Sequence, residues 1–258
     1  MAKDRLYRTE AIVLRRMDMG EADRLITLYT PYLGKLRVLA KGVRKPTSRK
    51  AGHLELFVHS QLLIARGRSL DIVTQAETIE PFLSLREDLL RTSYAYYLSE
   101  LVERFTEEGE ENPALFTLLL DGLGCLDEAP DPASVARYFE LHLLELVGYR
   151  PELNECVGCR REVKGGAYFS AGKGGVLCQP CSREGKGASP LSEDTLYYLR
   201  LLQGGDYQIC QVLAPSPRVR GESEKHMRRY ISYILERRPK SLAFLDTLRR
   251  QEREVSPP

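Results

Sequence analysis

Tryptophan is absent from this 258-residue chain, and histidine is scarce, with only His53, His59, His142 and His226. None of the four sits at a spacing that suggests a metal pair or a base beside a nucleophile. The sequence has no GxGxxG, GxxxxGK[ST], HExxH or GxSxG string. Gly172-Lys173-Gly174 fails as a phosphate loop, because the upstream glycine is missing and Gly174 stands where Ser or Thr is required. Aliphatic runs such as Leu62–Ala65 and Leu118–Leu120 fall far short of the ~20 residues that span a bilayer. The opening MAKDRLYRTE has basic residues but no apolar core of the kind a secretory signal carries, so a cytoplasmic protein is expected. These absences argue against an enzyme and against a membrane protein.

What is present is charge, sorted by region. The net charge is only +2, yet residues 1–80 carry 15 basic and 9 acidic side chains, residues 81–154 carry 5 and 15, and residues 155–258 carry 18 and 12. Such segregation predicts two kinds of surface, one of them made for polyanions. The densest basic stretch lies between Lys35 and Lys50. Lys35, Arg37, Lys41, Arg44, Lys45, Arg49 and Lys50 occur there without one Asp or Glu. Like charges this close repel one another and seek either water or a polyanion. Lys35 to Ala40 alternates as a half-buried strand does, whereas Gly42, Pro46, Ser48 and Gly52 suit a loop. The seven cations are the candidate nucleic-acid contacts.

Around that stretch the period is two. Residues 7–16, 24–30, 35–40, 54–65 and 70–77 read as five strands, the last two joined across Arg66, Gly67 and Arg68. Five short strands without a helix between them suggest a small barrel. The oligonucleotide-binding (OB) barrel is the commonest such design that meets nucleic acid, although an SH3-like barrel would show much the same pattern. Beyond Pro81 the period becomes helical. Leu90, Tyr94, Tyr97, Leu101 and Phe105 share one face of a helix that ends at the acidic run 107–111, and core packing explains Tyr94, Tyr96 and Tyr97 better than base stacking does. Further helices are expected from Pro113 to Leu126, from Asp131-Pro132 to Gly148, and over 192–203, 222–237 and 241–254, with His142 in or near a core.

The sharpest chemical signal interrupts these helices. Cys156-Val157-Gly158-Cys159 and Cys178-Gln179-Pro180-Cys181 are two CxxC pairs with 18 residues between them. Each tight turn presents two thiolates, and two such turns complete a tetrahedron of sulfurs around one structural Zn²⁺. Paired disulfides are disfavoured in a cytoplasmic protein, and a thioredoxin-like redox site is disfavoured because neither pair follows a strand in a βαβ unit. Four thiolates close the coordination shell, so no position remains for a catalytic water. The segment between the pairs reads as a hairpin turning at 172–175, with Arg160, Arg161, Lys164 and Lys173 adding positive charge, and Cys125 and Cys210 read as ordinary buried residues.

The string EAIVLRRMDMGEADRLITLYTPYLGKLRVLAKGVRK, followed by GHLELFVHSQLLI and later by LLELVGYRPELNECVGC and CQPC, resembles the bacterial RecO family over nearly the whole length. The resemblance implies an α+β multidomain protein, with an OB-fold DNA-binding domain at 1–80, a helical domain at 81–154 and 184–258, and a four-cysteine zinc module inserted at 155–183. It further implies a non-enzymatic recombination mediator of DNA repair. Such a mediator binds single- and double-stranded DNA, anneals complementary strands, and works with RecR to help load RecA onto DNA coated by single-stranded DNA-binding protein. Binding of that coat protein's acidic tail and association with the nucleoid are implied as well. No motif identifies the residues that receive the tail, although Arg218, Arg220, Lys225, Arg228 and Arg229 supply cations in the helical domain. An OB-fold and zinc-ribbon RNA-binding protein, a thiol-dependent enzyme and an interaction scaffold without nucleic-acid affinity are the alternatives.

Overall fold

The structure, a computed structural model, describes residues 5–183 and 187–255, with side chains described as far as residue 248. The chain divides into two compact units, Met1–Asp127 and Glu128–Pro258. In the first, β1 (Leu6–Met19), β2 (Asp23–Thr30), β3 (Gly34–Ala40), β4 (His59–Ala65) and β5 (Asp71–Glu80) form a closed barrel in the order β1-β2-β3-β5-β4. β1 closes it by pairing antiparallel with β4, Leu6 opposite Ala65 and Ile12 opposite His59. A parallel contact, Val38 and Leu39 with Asp71 and Ile72, joins β3 to β5. This is the OB-like architecture that the alternation predicts. Ala11, Val13, Ile26, Leu28, Val38, Ala40, Leu62, Ile64 and Val73 point inward and fill the barrel. Each large side chain among them contributes about 1.5–3 kcal/mol by leaving water.

The fourth strand is shorter than its sequence suggests. Residues 54–57 do not extend it: Gly52–Leu54 is a 3₁₀ turn, and Phe57 has a left-handed backbone at φ 69°. Phe57 is held there because its N–H donates to the Val13 carbonyl at 2.9 Å and its ring meets Tyr96 edge-on at 5.0 Å. Tertiary packing overrides the local alternation at this point.

The remainder of the first unit is helical: α1 (Ser84–Glu87), α2 (Leu89–Phe105) and α3 (Pro113–Glu128). Asp88 caps α2 by accepting from the Leu90 and Arg91 N–H groups, and Asn112 caps α3 by accepting from Leu115 at 3.0 Å. Tyr94, Tyr97 and Leu101 are buried, whereas Tyr96 is partly exposed, so the tyrosine stripe is core.

In the second unit α4 (Pro132–Leu146), α6 (Glu193–Gly204) and α8 (Pro217–Ile234) pack on one another, with α7 (Ile209–Val212) between α6 and α8 in the chain and α9 (Ser241–Val255) last. α8 starts five residues before the expected Glu222. Ser216 caps it and Pro217 opens it, the same cap-then-proline device that Asp131 and Pro132 use on α4. Between α4 and α6 lie β6 (Ala167–Ser170), β7 (Gly175–Leu177), the short α5 (Gln179–Ser182) and β8 (Ser189–Leu191), the strands forming a sheet of order β7-β6-β8. His142 Nε2–H donates to the Leu202 carbonyl of α6 at 3.0 Å and its ring stacks on Tyr138 at 4.0 Å, a packed histidine as expected. No helix among the described residues is long and apolar enough to cross a membrane.

Candidate nucleic-acid surface and metal centre

The seven cations of the basic stretch do not form one equivalent set. Lys35 lies on the outer face of β3 and is turned toward α2, where its ammonium donates to the carbonyls of Glu103, at 2.6 Å, and Thr106. These are carbonyls at the end of α2, where a cation also meets the negative end of the helix dipole. Lys50 likewise donates to the Val73 carbonyl at 2.8 Å, and burial lowers its pKa. Arg37 lies 3.9 Å from Glu108, and Arg44 is 3.4 Å from Asp18 while donating to the Gly20 carbonyl. Lys41, Lys45 and Arg49 are exposed, and among the described residues their side chains have no ion pair or hydrogen bond. These three retain their full charge for an outside partner.

The face of strands β2 and β3, on which OB barrels commonly lay oligonucleotides, is covered here. Outward-pointing Ile12, Thr27 and Tyr29 are buried despite lying on the outside of the barrel. α2 packs on β1, Phe116 of α3 meets His59 edge-on at 5.7 Å, and Arg15 pairs with Glu103 at 3.3 Å. The acidic segment after α2 then runs along β3, with the Gly109 N–H donating to the Lys35 carbonyl at 3.1 Å. Gly34 makes this approach possible: at φ 60°, a Cβ there would stand 2.0 Å from the Glu110 carbonyl oxygen. Burial, with Glu110 nearby, pushes the Tyr29 phenol above its ordinary range.

What stays open is the rim where β3 ends. The Arg44 N–H donates to the Ala22 carbonyl at 2.9 Å, which places the basic loop against the β1–β2 turn. β5 runs parallel to β3 from the pairing of Asp71 with Val38, so the turn before it, 66–70, lies back along β3 and away from the basic loop. That turn carries exposed Arg66 and Arg68, with Arg66 lying 4.8 Å from the Tyr7 ring centroid.

In the second unit, the cysteines predicted to act together do meet. The sulfurs of Cys156, Cys159, Cys178 and Cys181 all lie within 4.8 Å of one another, and Cys159 Sγ is 3.8 Å from Cys178 Sγ. Metal–sulfur bonds of about 2.3 Å in a tetrahedron require sulfurs about 3.8 Å apart, so the constellation fits a metal ion. Burial opposes ionisation of Cys156, yet N–H groups of Cys178, Cys159 and Gly158 aimed at its sulfur bring its pKa down to about 6. Gly158 is needed for closeness, since a Cβ there would stand 3.1 Å from Cys181 Cβ.

Two residues that the spacing did not disclose hold the first knuckle. The Arg200 guanidinium on α6 donates to the Leu153 carbonyl at 2.7 and 2.9 Å and to the Val163 carbonyl at 2.9 Å, clasping both ends of the Cys156–Cys159 turn. Gln203, one turn on, donates to the Pro151 carbonyl at 2.9 Å. Only their position on a helix face opposite the insert would have pointed to them.

Most of the C-terminal cations are already balanced. Arg218 pairs with Asp194 at 2.5 Å, Arg220 with Asp131 at 3.3 Å, and Arg228 with Glu224 and, at 2.6 Å, Asp246. Arg229 reaches Ser189 Oγ at 3.4 Å, and Lys225 is exposed.

Comparison with known proteins covers both units. Residues 1–82 match the family model described as Recombination protein O N terminal, and residues 86–243 match Recombination protein O C terminal. The chain is 47% identical over 256 residues to the DNA repair protein RecO of Roseiflexus sp. (strain RS-1), spanning 99% of this chain and 90% of that protein. It is 40% identical over 251 residues to the DNA repair protein RecO of Dehalococcoides mccartyi, spanning 97% and 99%. The corresponding protein of Pelotomaculum thermopropionicum is 42% identical over 242 residues, spanning 94% of each chain.

Proposed function

The chain belongs to the RecO family, and from that premise we propose that it is a DNA-binding mediator of recombinational repair that holds phosphates on the barrel rim and makes or breaks no bond. The observation that carries this reading is the set of uncompensated cations Lys41, Lys45 and Arg49 on one loop where β3 ends. Phosphate binding by such a rim is driven by counterion release and carries little sequence preference. Annealing follows when two strands are neutralised on one surface and base pairing proceeds unopposed. Arg44 can join the rim by exchanging Asp18 for a phosphate. Lys35 and Lys50, tied to backbone carbonyls, hold the fold beneath it, and Arg37 lies beside Glu108.

The four cysteines hold one Zn²⁺ as thiolates. The ion is structural, since its shell is closed and its contribution is to fix the knuckles 156–159 and 178–181. Single- and double-stranded DNA, RecR, the acidic tail of single-stranded DNA-binding protein and, indirectly, RecA are the partners, in a cytoplasmic, nucleoid-associated setting. Among the C-terminal cations, Lys225 and Arg229 are the ones left with charge for the acidic tail.

The test is binding and annealing by the wild type and by a variant with Lys41, Arg44, Lys45, Arg49 and Lys50 neutralised, on single-stranded DNA, duplex DNA and RNA of one sequence. The expected result is loss of DNA binding and annealing in the variant. Unchanged activity would move the DNA surface off the rim, and a preference for RNA would replace the repair reading with an RNA-binding one.

A further inference from the structure

Beyond the rim, the second unit holds a cleft of about 640 Å³ between the β6–β7 hairpin and the end of α8. Tyr149, Tyr230, Tyr233, Gly172, Gly174 and Glu236 line it. Tyr230 is a fixed floor: its hydroxyl donates to the Tyr149 carbonyl at 3.0 Å and its ring meets Phe169 edge-on at 5.6 Å. Tyr149 and Tyr233 differ from it in being 50% and 58% exposed, each leaving much of a ring to solvent. The opposite wall is nearly bare backbone. A Cβ at Gly172 would come within 3.5 Å of the Tyr233 hydroxyl, and one at Gly174, where φ is +70°, within 3.2 Å of the Tyr230 hydroxyl. Lys173, between the two glycines, and Arg237, next to Glu236, are exposed, and among the described residues neither has an ion pair.

Half-open aromatic rings with unpaired cations at their margins are what a single-stranded nucleic acid uses, its bases stacking on the rings while its phosphates meet the charges. Glu236 adds an acceptor for the amino or imino N–H on a base edge. We propose that this cleft stacks unpaired bases of a single strand, a second contact distinct from the barrel rim. The inference rests on the DNA-binding reading above. Stacking needs bases free of their partners, so the cleft serves single strands and not duplex, and it holds an unpaired strand in a state ready to anneal.

The test uses the full-length, zinc-loaded chain with a deoxythymidine oligonucleotide and a duplex of equal length. In Y149L/Y233L, affinity for the single strand is expected to fall about 5- to 150-fold, with duplex affinity and zinc content unchanged. Y149F/Y233F keeps the rings and is expected to bind as the wild type does. Photo-crosslinking to 5-iodouracil placed along the oligonucleotide is expected to label peptides containing residue 149 or 233. Equal losses on single strand and duplex, or unchanged single-strand affinity in the leucine variant with no crosslink at either tyrosine, would overturn the proposal. A wild type that binds neither DNA form would instead overturn the reading on which it rests.

Discussion

The barrel and the cysteine module keep their shapes by different means. The barrel is wrapped around its own apolar side chains, from Ala11 and Val13 to Ile64 and Val73. The module consists of strands three or four residues long and two knuckles, with four sulfurs gathered beside a small apolar set. These strands bury Phe169, Val176 and Leu177 but are too short to stand alone, and further order comes from ligands and from clasps such as Arg200. The contrast teaches where each half is vulnerable. The barrel should respond to packing and backbone changes, and the module to whatever loosens its sulfurs.

Metal removal is expected to separate the two most sharply. Chelation should abolish amide-exchange protection across 152–178 and expose all four thiols to alkylation, since structural zinc contributes on the order of 10 kcal/mol. Protection across 6–80 should stay as it was, and a barrel that loosens with the module would break the comparison. Arg200→Ala is the milder attack on the same region. It removes charged hydrogen bonds to two carbonyls, a cost of about 3 kcal/mol, and the thiols should alkylate faster without any chelator. On the barrel side, Gly34→Ala is expected to cost about 1–3 kcal/mol from the left-handed backbone alone, with more added by its collision with Glu110. Urea unfolding would measure it, and a neutral outcome would mean that the acidic segment does not rest on β3.

The smallest effect is that of pH, with one histidine in each unit. Burial lowers the pKa of His59 despite Glu10, and burial lowers that of His226 despite its bond to the Pro190 carbonyl. The unfolded chain therefore takes up protons first. Stability is complete above the unfolded value of about 6.5 and falls as pH drops from there through the folded values. Replacing His59 by Gln should flatten this dependence in the barrel and leave it in the second unit, where His226→Gln should do the reverse. Hydrogen exchange at pH 7.5 and 5.5 distinguishes them.

Much of this architecture could be read from one-letter code, because the signals are local. Alternation from Tyr7 to Glu77 reports strands, and CxxC spacing reports a shared ion, since two thiolates in one turn must point the same way. The limits of local signals are equally plain. Lys35 and Lys45 look alike in the sequence, yet one ammonium is held by α2 and the other faces solvent. That difference arises from a helix 70 residues downstream in the chain's path, not from anything near either lysine. Phe57 was hidden for the same reason, its left-handed turn being enforced by Tyr96 and Val13. By contrast, Ser216-Pro217 was a legible start for α8, of the same type as Asp131-Pro132.

The central claim, that an open rim and not the covered strand face meets DNA, is tested most directly by the salt dependence of single-strand binding. Log K against log[salt] would be measured for the wild type, for K41Q/K45Q/R49Q and for K35Q. If the three rim cations contact phosphates, the slope should become shallower by about 2 in the triple variant and stay unchanged in K35Q, whatever that variant loses in stability. A triple variant with the wild-type slope, or a K35Q slope reduced as much as that of a rim cation, would contradict it.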